Sequence, residues 1–195
     1  FPSRRPRHVL TSIGRFVPQK VSLMLEPTEP GETALEALLN QLGKQGVLIM
    51  LGNGDPNMQD RLVAVAERVS NLLFLCGYSE MLSEPLYRAG DLFLMPSTFE
   101  PCGISQMLAM RAAQPCVVHG VGGLRDTVED GRTGFVFDGA STPMQAQAFV
   151  AAVDRALILK EGEQDRWQTL CIRAASRRFD WATTAKQTIG NLYES

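Results

Sequence analysis

The stretch Leu92-Phe93-Leu94-Met95-Pro96-Ser97-Thr98-Phe99-Glu100-Pro101-Cys102-Gly103-Ile104-Ser105-Gln106 is the one from which the fold can be read. It opens on four apolar residues, passes through a loop punctuated by Pro96, Pro101 and Gly103, and enters a helical pattern in which Leu108, Ala109, Ala112 and Ala113 make an apolar stripe. A second apolar run, Cys116–Val118, follows. Short runs with no polar alternation mark strands buried on both faces, as in a parallel sheet covered by helices.

Outward from this unit the pattern repeats. His8–Ile13, Val47–Leu51, Leu72–Cys76 and Phe135–Phe137 read as further strands. Leu35, Leu38, Leu39 and Leu42 make one amphipathic stripe between them, and Leu62, Val65, Ala66 and Val69 another. Strand and helix in alternation imply right-handed crossovers and an α/β fold: a doubly wound parallel sheet, Rossmann-like. Thr142–Lys160, Gln164–Arg178 and Trp181–Tyr193 read as three closing helices, and Glu26–Glu32, with Pro27, Pro30 and Gly31, as a polar loop. The 195 residues suffice for one domain with its own core, and residues 1–195 are read as one.

Composition narrows the function classes. A formal net charge of −2 offers no basic field for nucleic acid or an anionic membrane. Arg4, Arg5 and Arg7 read as a tail near a domain junction. No apolar run approaches the ~20 residues of a membrane span. Cys76, Cys102, Cys116 and Cys171 form no C-x-x-C pair and have no histidine at metal-ligand spacing, so they read as reduced thiols of a cytoplasmic protein, with no metal and no cofactor. A chain with neither signal peptide nor initiator Met reads as a piece of something longer.

Ligands of doubly wound sheets bind outside the carboxyl ends of the strands, so the loops there are the candidates. The first, Gly14-Arg15-Phe16-Val17-Pro18-Gln19-Lys20, sets two cations five residues apart, either as solvated charges or as a pair that stabilises a departing diphosphate. The second, Gly52-Asn53-Gly54-Asp55-Pro56, is a tight turn whose glycines permit close approach, an incomplete dinucleotide fingerprint. The third carries Tyr78, an aromatic that either packs on the sheet or stacks on a base. The fourth puts Glu100 ahead of a helix start whose free amides suit an anion. The fifth, His119-Gly120-Val121-Gly122-Gly123-Leu124, again sets glycines before a helix.

In this order, Arg-x₄-Lys, Gly-Asn-Gly-Asp-Pro, Gly-Tyr-Ser-Glu, Phe-Glu-Pro-Cys-Gly-Ile-Ser-Gln and Gly-Gly-Leu-Arg-Asp-Thr-Val, the chain resembles the carboxy-terminal domain of the bacterial glycogen synthase and plant starch synthase family. The resemblance covers nearly the whole chain and is most specific from Ser97 to Val128. It implies one half of a two-domain GT-B enzyme that moves glucose from ADP-glucose to an α-1,4-glucan with retention, in the cytoplasm, or in the plastid if the source is a plant. It implies that Arg15 and Lys20 bind the diphosphate and assist its departure, that Tyr78 stacks on the adenine, and that Glu100 contacts the sugar hydroxyls. Amides of Cys102 and Gly103 would hold the sugar, those of Ile104 and Ser105 the phosphate, and Gly122 and Gly123 would line the same cleft.

Three positions depart from or divide that pattern. Val21 stands where the family has glycine after the lysine, and Val121 where it has threonine before the paired glycines. Leu108 takes the place of a second glutamate found in sucrose- and lipid-directed relatives, a glutamate that glycogen synthases also lack. The amino-terminal domain, with its Lys-x-Gly-Gly-Leu loop and catalytic histidine, is not in the chain, so the domain alone is expected to be inactive. The alternatives are another retaining transferase with a UDP or GDP donor, and a catalytically silent domain that binds nucleotide sugar or glucan. A nicotinamide oxidoreductase is disfavoured by the incomplete glycine fingerprint and the lack of a ribose-binding acid.

Overall fold

The computed structural model describes residues 5–29 and 31–179. In chain order the elements are β1 His8–Ile13, α1 Pro18–Val21, β2 Pro27–Glu29, β3 Glu32–Thr33, α2 Ala34–Leu42, β4 Gly46–Gly52, α3 Pro56–Ala66, β5 Leu72–Cys76, α4 Glu80–Ala89, β6 Leu92–Met95, α5 Ser105–Arg111, β7 Cys116–His119, α6 Gly122–Thr127, β8 Gly134–Phe137, α7 Thr142–Gly162 and α8 Gln164–Ser176. The six apolar runs all form strands, and all pair in parallel in the order β5-β4-β1-β6-β7-β8. Chain order reverses direction between β1 and β6, the kind of point at which doubly wound sheets open a crevice. These two strands pair only at Leu10↔Leu92 and Thr11↔Phe93, so above that level the crevice is free to open.

Alternate residues of each central strand feed opposite layers. Leu92 and Leu94 join a core with Leu35, Leu38, Phe149 and Val153 of α2 and α7, while Phe93 and Met95 face Tyr87, Ala109, Met110 and Leu124 of α4, α5 and α6. Side chains as fully buried as Phe149 and Leu35 each contribute about 1.5–3 kcal/mol of transfer free energy. Local signals agree with this packing. Thr33 and Glu36 close a reciprocal capping box on α2, and Asp55 caps α3 ahead of Pro56 at its first position.

Several readings of the sequence are corrected. Glu26–Glu32 is not simply a polar loop: β2 and β3 pair antiparallel, Pro27 opposite Thr33 and Glu29 opposite Glu32. Proline is tolerated there because it opens a short strand, where its missing N–H is not needed. The stripe assigned to α5 is rotated. Gln106, Ala109 and Met110 are the buried residues, Leu108 is 43% exposed, and Ala113 lies past the helix end with φ 61°. The left-handed backbone at Ala113 ends the turn before the stripe can continue. Val69 likewise lies beyond α3. The edge strand β5 is half-exposed, with Leu73 open to solvent. The helix read at Trp181–Tyr193 falls outside the described residues.

The four cysteines are free, and their surroundings divide them. Burial pushes the Cys116 thiol far up, and burial, followed by the nearby Asp91 carboxylate, pushes Cys171 up to about 11. Cys76 and Cys102 are exposed. The thiolate is the reacting form. Native protein at neutral pH is therefore expected to titrate two thiols rapidly with a disulfide reagent and the other two only in denaturant. Four fast thiols would contradict the packing around β7 and α8.

Candidate functional site

The crevice between β1 and β6 is a cleft of about 220 Å³ whose walls include Ser12, Arg15, Lys20, Met95, Ser97 and Ser105. The first loop reaches it on a built support. Gly14 N donates to Leu51 O at 3.0 Å, Phe16 N to Asn53 O at 2.8 Å and Asp55 N to Phe16 O at 2.8 Å, zipping the loop to its neighbour. A β-carbon on Gly52 would lie 1.8 Å from Gly14 O, and one on Gly54 2.4 Å from Phe16 O. The glycines of the second loop thus let the chain's own backbone approach. Phe16 is buried against Phe74 and anchors the loop between Arg15, which is exposed, and the short helix α1 that carries Lys20.

Lys20 Nζ is paired with Glu100 Oε2 across the mouth of the cleft. Glu100 is only 7% exposed, so a carboxylate has been taken out of water and given a cation. Burial, and then the nearby Arg15 charge, hold Lys20 below the usual lysine value. Arg15, Lys20 and Glu100 together leave one net positive charge where the helix α5 begins.

The fourth and fifth loops are fitted to each other. A β-carbon on Gly122 would lie 2.1 Å from Glu100 O, and one on Gly123 2.2 Å from Cys102 O, while Gly123 N donates to Glu100 O at 3.0 Å. Gly103, with φ +76°, turns the chain into α5 over the Gln106 side chain. Gln106 Nε2 donates to Gly103 O at 2.9 Å, and Thr127 Oγ1 donates to Gly123 O at 2.7 Å. Gln106 and Thr127 were given no role from sequence. A hydrophobic pattern carries no signal for either, because both are polar side chains on buried faces.

Of the residues singled out from sequence, Arg15, Lys20 and Ser105 line one cleft and Glu100 is bonded into it. Cys102 and Gly103 precede α5, and Ile104 is its N-terminal flanking residue, 66% exposed. Gly122 and Gly123 lie beneath the fourth loop. Tyr78 does not line this cleft. It stands 72% exposed on the third loop, which is tied to the second by Gly77 N donating to Gly52 O at 2.7 Å. Among the described residues no three His, Cys, Asp or Glu gather as a metal site, and no helix is long and apolar enough to cross a membrane.

A parallel sheet of this order, with its cations and buried carboxylate gathered at the strand-order reversal, is the Rossmann-like half of a GT-B glycosyltransferase. The family model for group 1 glycosyl transferases matches residues 7–158, and the chain belongs to that family. It is 38% identical to the glycogen synthase of Streptococcus sanguinis over 175 residues, which is 84% of this chain and 35% of the relative. It is 35% identical to that of Desulfitobacterium hafniense over 195 residues, 96% of this chain and 38% of the relative. Among solved structures it is similar to the catalytic domain of starch synthase IV from Arabidopsis thaliana bound to ADP and acarbose, with a TM-score of 0.79, 28% identity, and coverage of 96% of this chain and 38% of that one. The chain thus spans little more than a third of these relatives' length.

Proposed function

We propose that this domain binds ADP-glucose and that, joined to an amino-terminal domain, it transfers the glucosyl group with retention to an α-1,4-glucan in the cytoplasm, while the domain alone does not turn over. The observation that carries the reading is the convergence of Arg15, Lys20 and Glu100 on one cleft at the strand-order reversal. In the proposed roles the two cations hold the diphosphate and stabilise it as it leaves. Glu100, released from Lys20, accepts from the sugar hydroxyls. Amides of Cys102, Gly103, Ile104 and Ser105 complete the sugar and phosphate contacts, and Gly122 and Gly123 shape the wall beneath them. The free cysteines fit a reducing compartment.

The base is assigned to Tyr78, whose exposed ring is available for stacking. Stacking on an aromatic is worth about 1–3 kcal/mol per base, and a purine offers the larger face. Calorimetric titration is expected to show ADP binding more tightly than UDP, with Tyr78→Ala reducing ADP affinity roughly five- to hundredfold by the same measure. Equal affinities for ADP and UDP in the unaltered protein would remove Tyr78 from base reading and favour a different donor.

A further inference from the structure

The fourth loop, which carries Glu100, is held from two sides. On one, Thr98 N donates to Gln19 O at 2.8 Å, beside Lys20. On the other, the Ser97 carbonyl accepts from Nδ1 of His119 at 3.0 Å. His119 ends β7, is 2% exposed, and stacks on Phe137 with ring centroids 5.0 Å apart and planes within 5°. It opens the fifth loop, ahead of the paired glycines, and has no part in the proposed chemistry.

The contacts of the ring constrain its hydrogens. A carbonyl oxygen only accepts, so Nδ1 carries one. Nε2 is buried, has no hydrogen-bond partner among the described residues, and faces Asp138 Oδ1 at 3.5 Å. The charged groups around the ring are Asp138, from the loop after β8, and Arg125 of α6, whose guanidinium lies 3.7 Å from the other Asp138 oxygen. The Gly139 amide, donating to Asp138 at 2.8 Å, holds that carboxyl below the usual range and keeps it ionised, with His119 and Arg125 acting in the same direction. Phe137 and Ser97 bring no charge.

We propose that His119 is a positioning residue: donating from Nδ1 to the Ser97 carbonyl, with its buried ring stacked on Phe137, it fixes where the loop bearing Glu100 stands in the cleft. Its consequence for donor binding rests on the nucleotide-binding reading above; the clamp itself does not.

The chain has two histidines, so the ring nitrogens can be followed individually by ¹⁵N NMR, with His119→Gln assigning the pairs. In the unaltered protein Nδ1 is expected to carry a hydrogen, seen as a one-bond proton coupling, because it donates to the Ser97 carbonyl. His119→Phe, which can stack on Phe137 but cannot donate, is expected to shift the backbone amides of Thr98 and Glu100 and to weaken ADP binding about tenfold, and His119→Gln to restore much of both by donating from its side-chain amide. A bare Nδ1, or Thr98 and Glu100 amides that stay in place in folded His119→Phe, would overturn the proposal. ADP affinity unchanged in His119→Phe would overturn the positioning role. If ADP does not bind the unaltered protein, the nucleotide reading fails and the NMR result alone decides the clamp.

Discussion

Lys20→Ala, made in the two-domain enzyme proposed above, is expected to lower kcat by about 10²–10³ while changing the donor KM much less. The reason lies in when charge appears. The phosphate next to the sugar carries one negative charge in the bound donor and gains another as the glycosidic bond breaks. A fixed cation beside it therefore binds the transition state more tightly than the substrate, and only such differential binding raises kcat. Lys20 is suited to this by its surroundings: its side chain is 19% exposed, is held by Glu100, and sits on a loop anchored by buried Phe16. Arg15→Ala should act in the same direction with a smaller effect, because Arg15 is exposed and screened. Lys20→Arg should rescue poorly, since a planar guanidinium does not fit where a compact ammonium meets a buried carboxylate. Steady-state kinetics on folded variants decide the matter. Near-normal kcat in Lys20→Ala would reduce the pair with Glu100 to a structural contact.

Gly122→Ala is expected to destabilise the protein by about 2–4 kcal/mol and to abolish ADP binding, from two separable costs. Gly122 has φ +44°, a backbone that an L side chain enters at a cost of about 1–2 kcal/mol. Its new β-carbon would also lie 2.1 Å from Glu100 O, so the fourth and fifth loops would have to part, straining the bond from Gly123 N to Glu100 O. Gly131→Ala isolates the first cost: Gly131 has φ +67° and, among the described residues, nothing within 4 Å of an added β-carbon. For a chain of this size the melting temperature should fall by roughly 5–15 °C in Gly122→Ala, and clearly less in Gly131→Ala. Equal losses in the two variants would show that the close approach beneath Glu100 is not what demands glycine.

Much of the fold was legible because its signals are local. A strand covered on both faces must be apolar along its length, and Leu92–Met95 is. A helix on a sheet must repeat its apolar face, as Leu35, Leu38, Leu39 and Leu42 do. The α5 stripe failed because Leu108, Ala112 and Ala113 repeat correctly in a helix that has nearly ended, and its buried face includes a polar Gln106 that a hydrophobic pattern cannot register. The β2–β3 hairpin failed because Pro27, Pro30 and Gly31 are breaker residues in either structure.

Residue order alone sets the kind of sheet, the loops that lie outside its strand ends, and which side chains on them bear charge. Which of those loops are neighbours is settled by long-range packing. Lys20 and Glu100 stand 80 residues apart, and no periodicity relates them. They meet because packing inserts β6 beside β1 rather than beside β5, which brings the first and fourth loops to opposite walls of one crevice. The same long-range placement gave Gly52, Gly54, Gly122 and Gly123 their partner, the chain's own backbone, and set His119 against Ser97 and Asp138. Burial and backbone conformation are written residue by residue, whereas strand order is settled by the packing of the whole core.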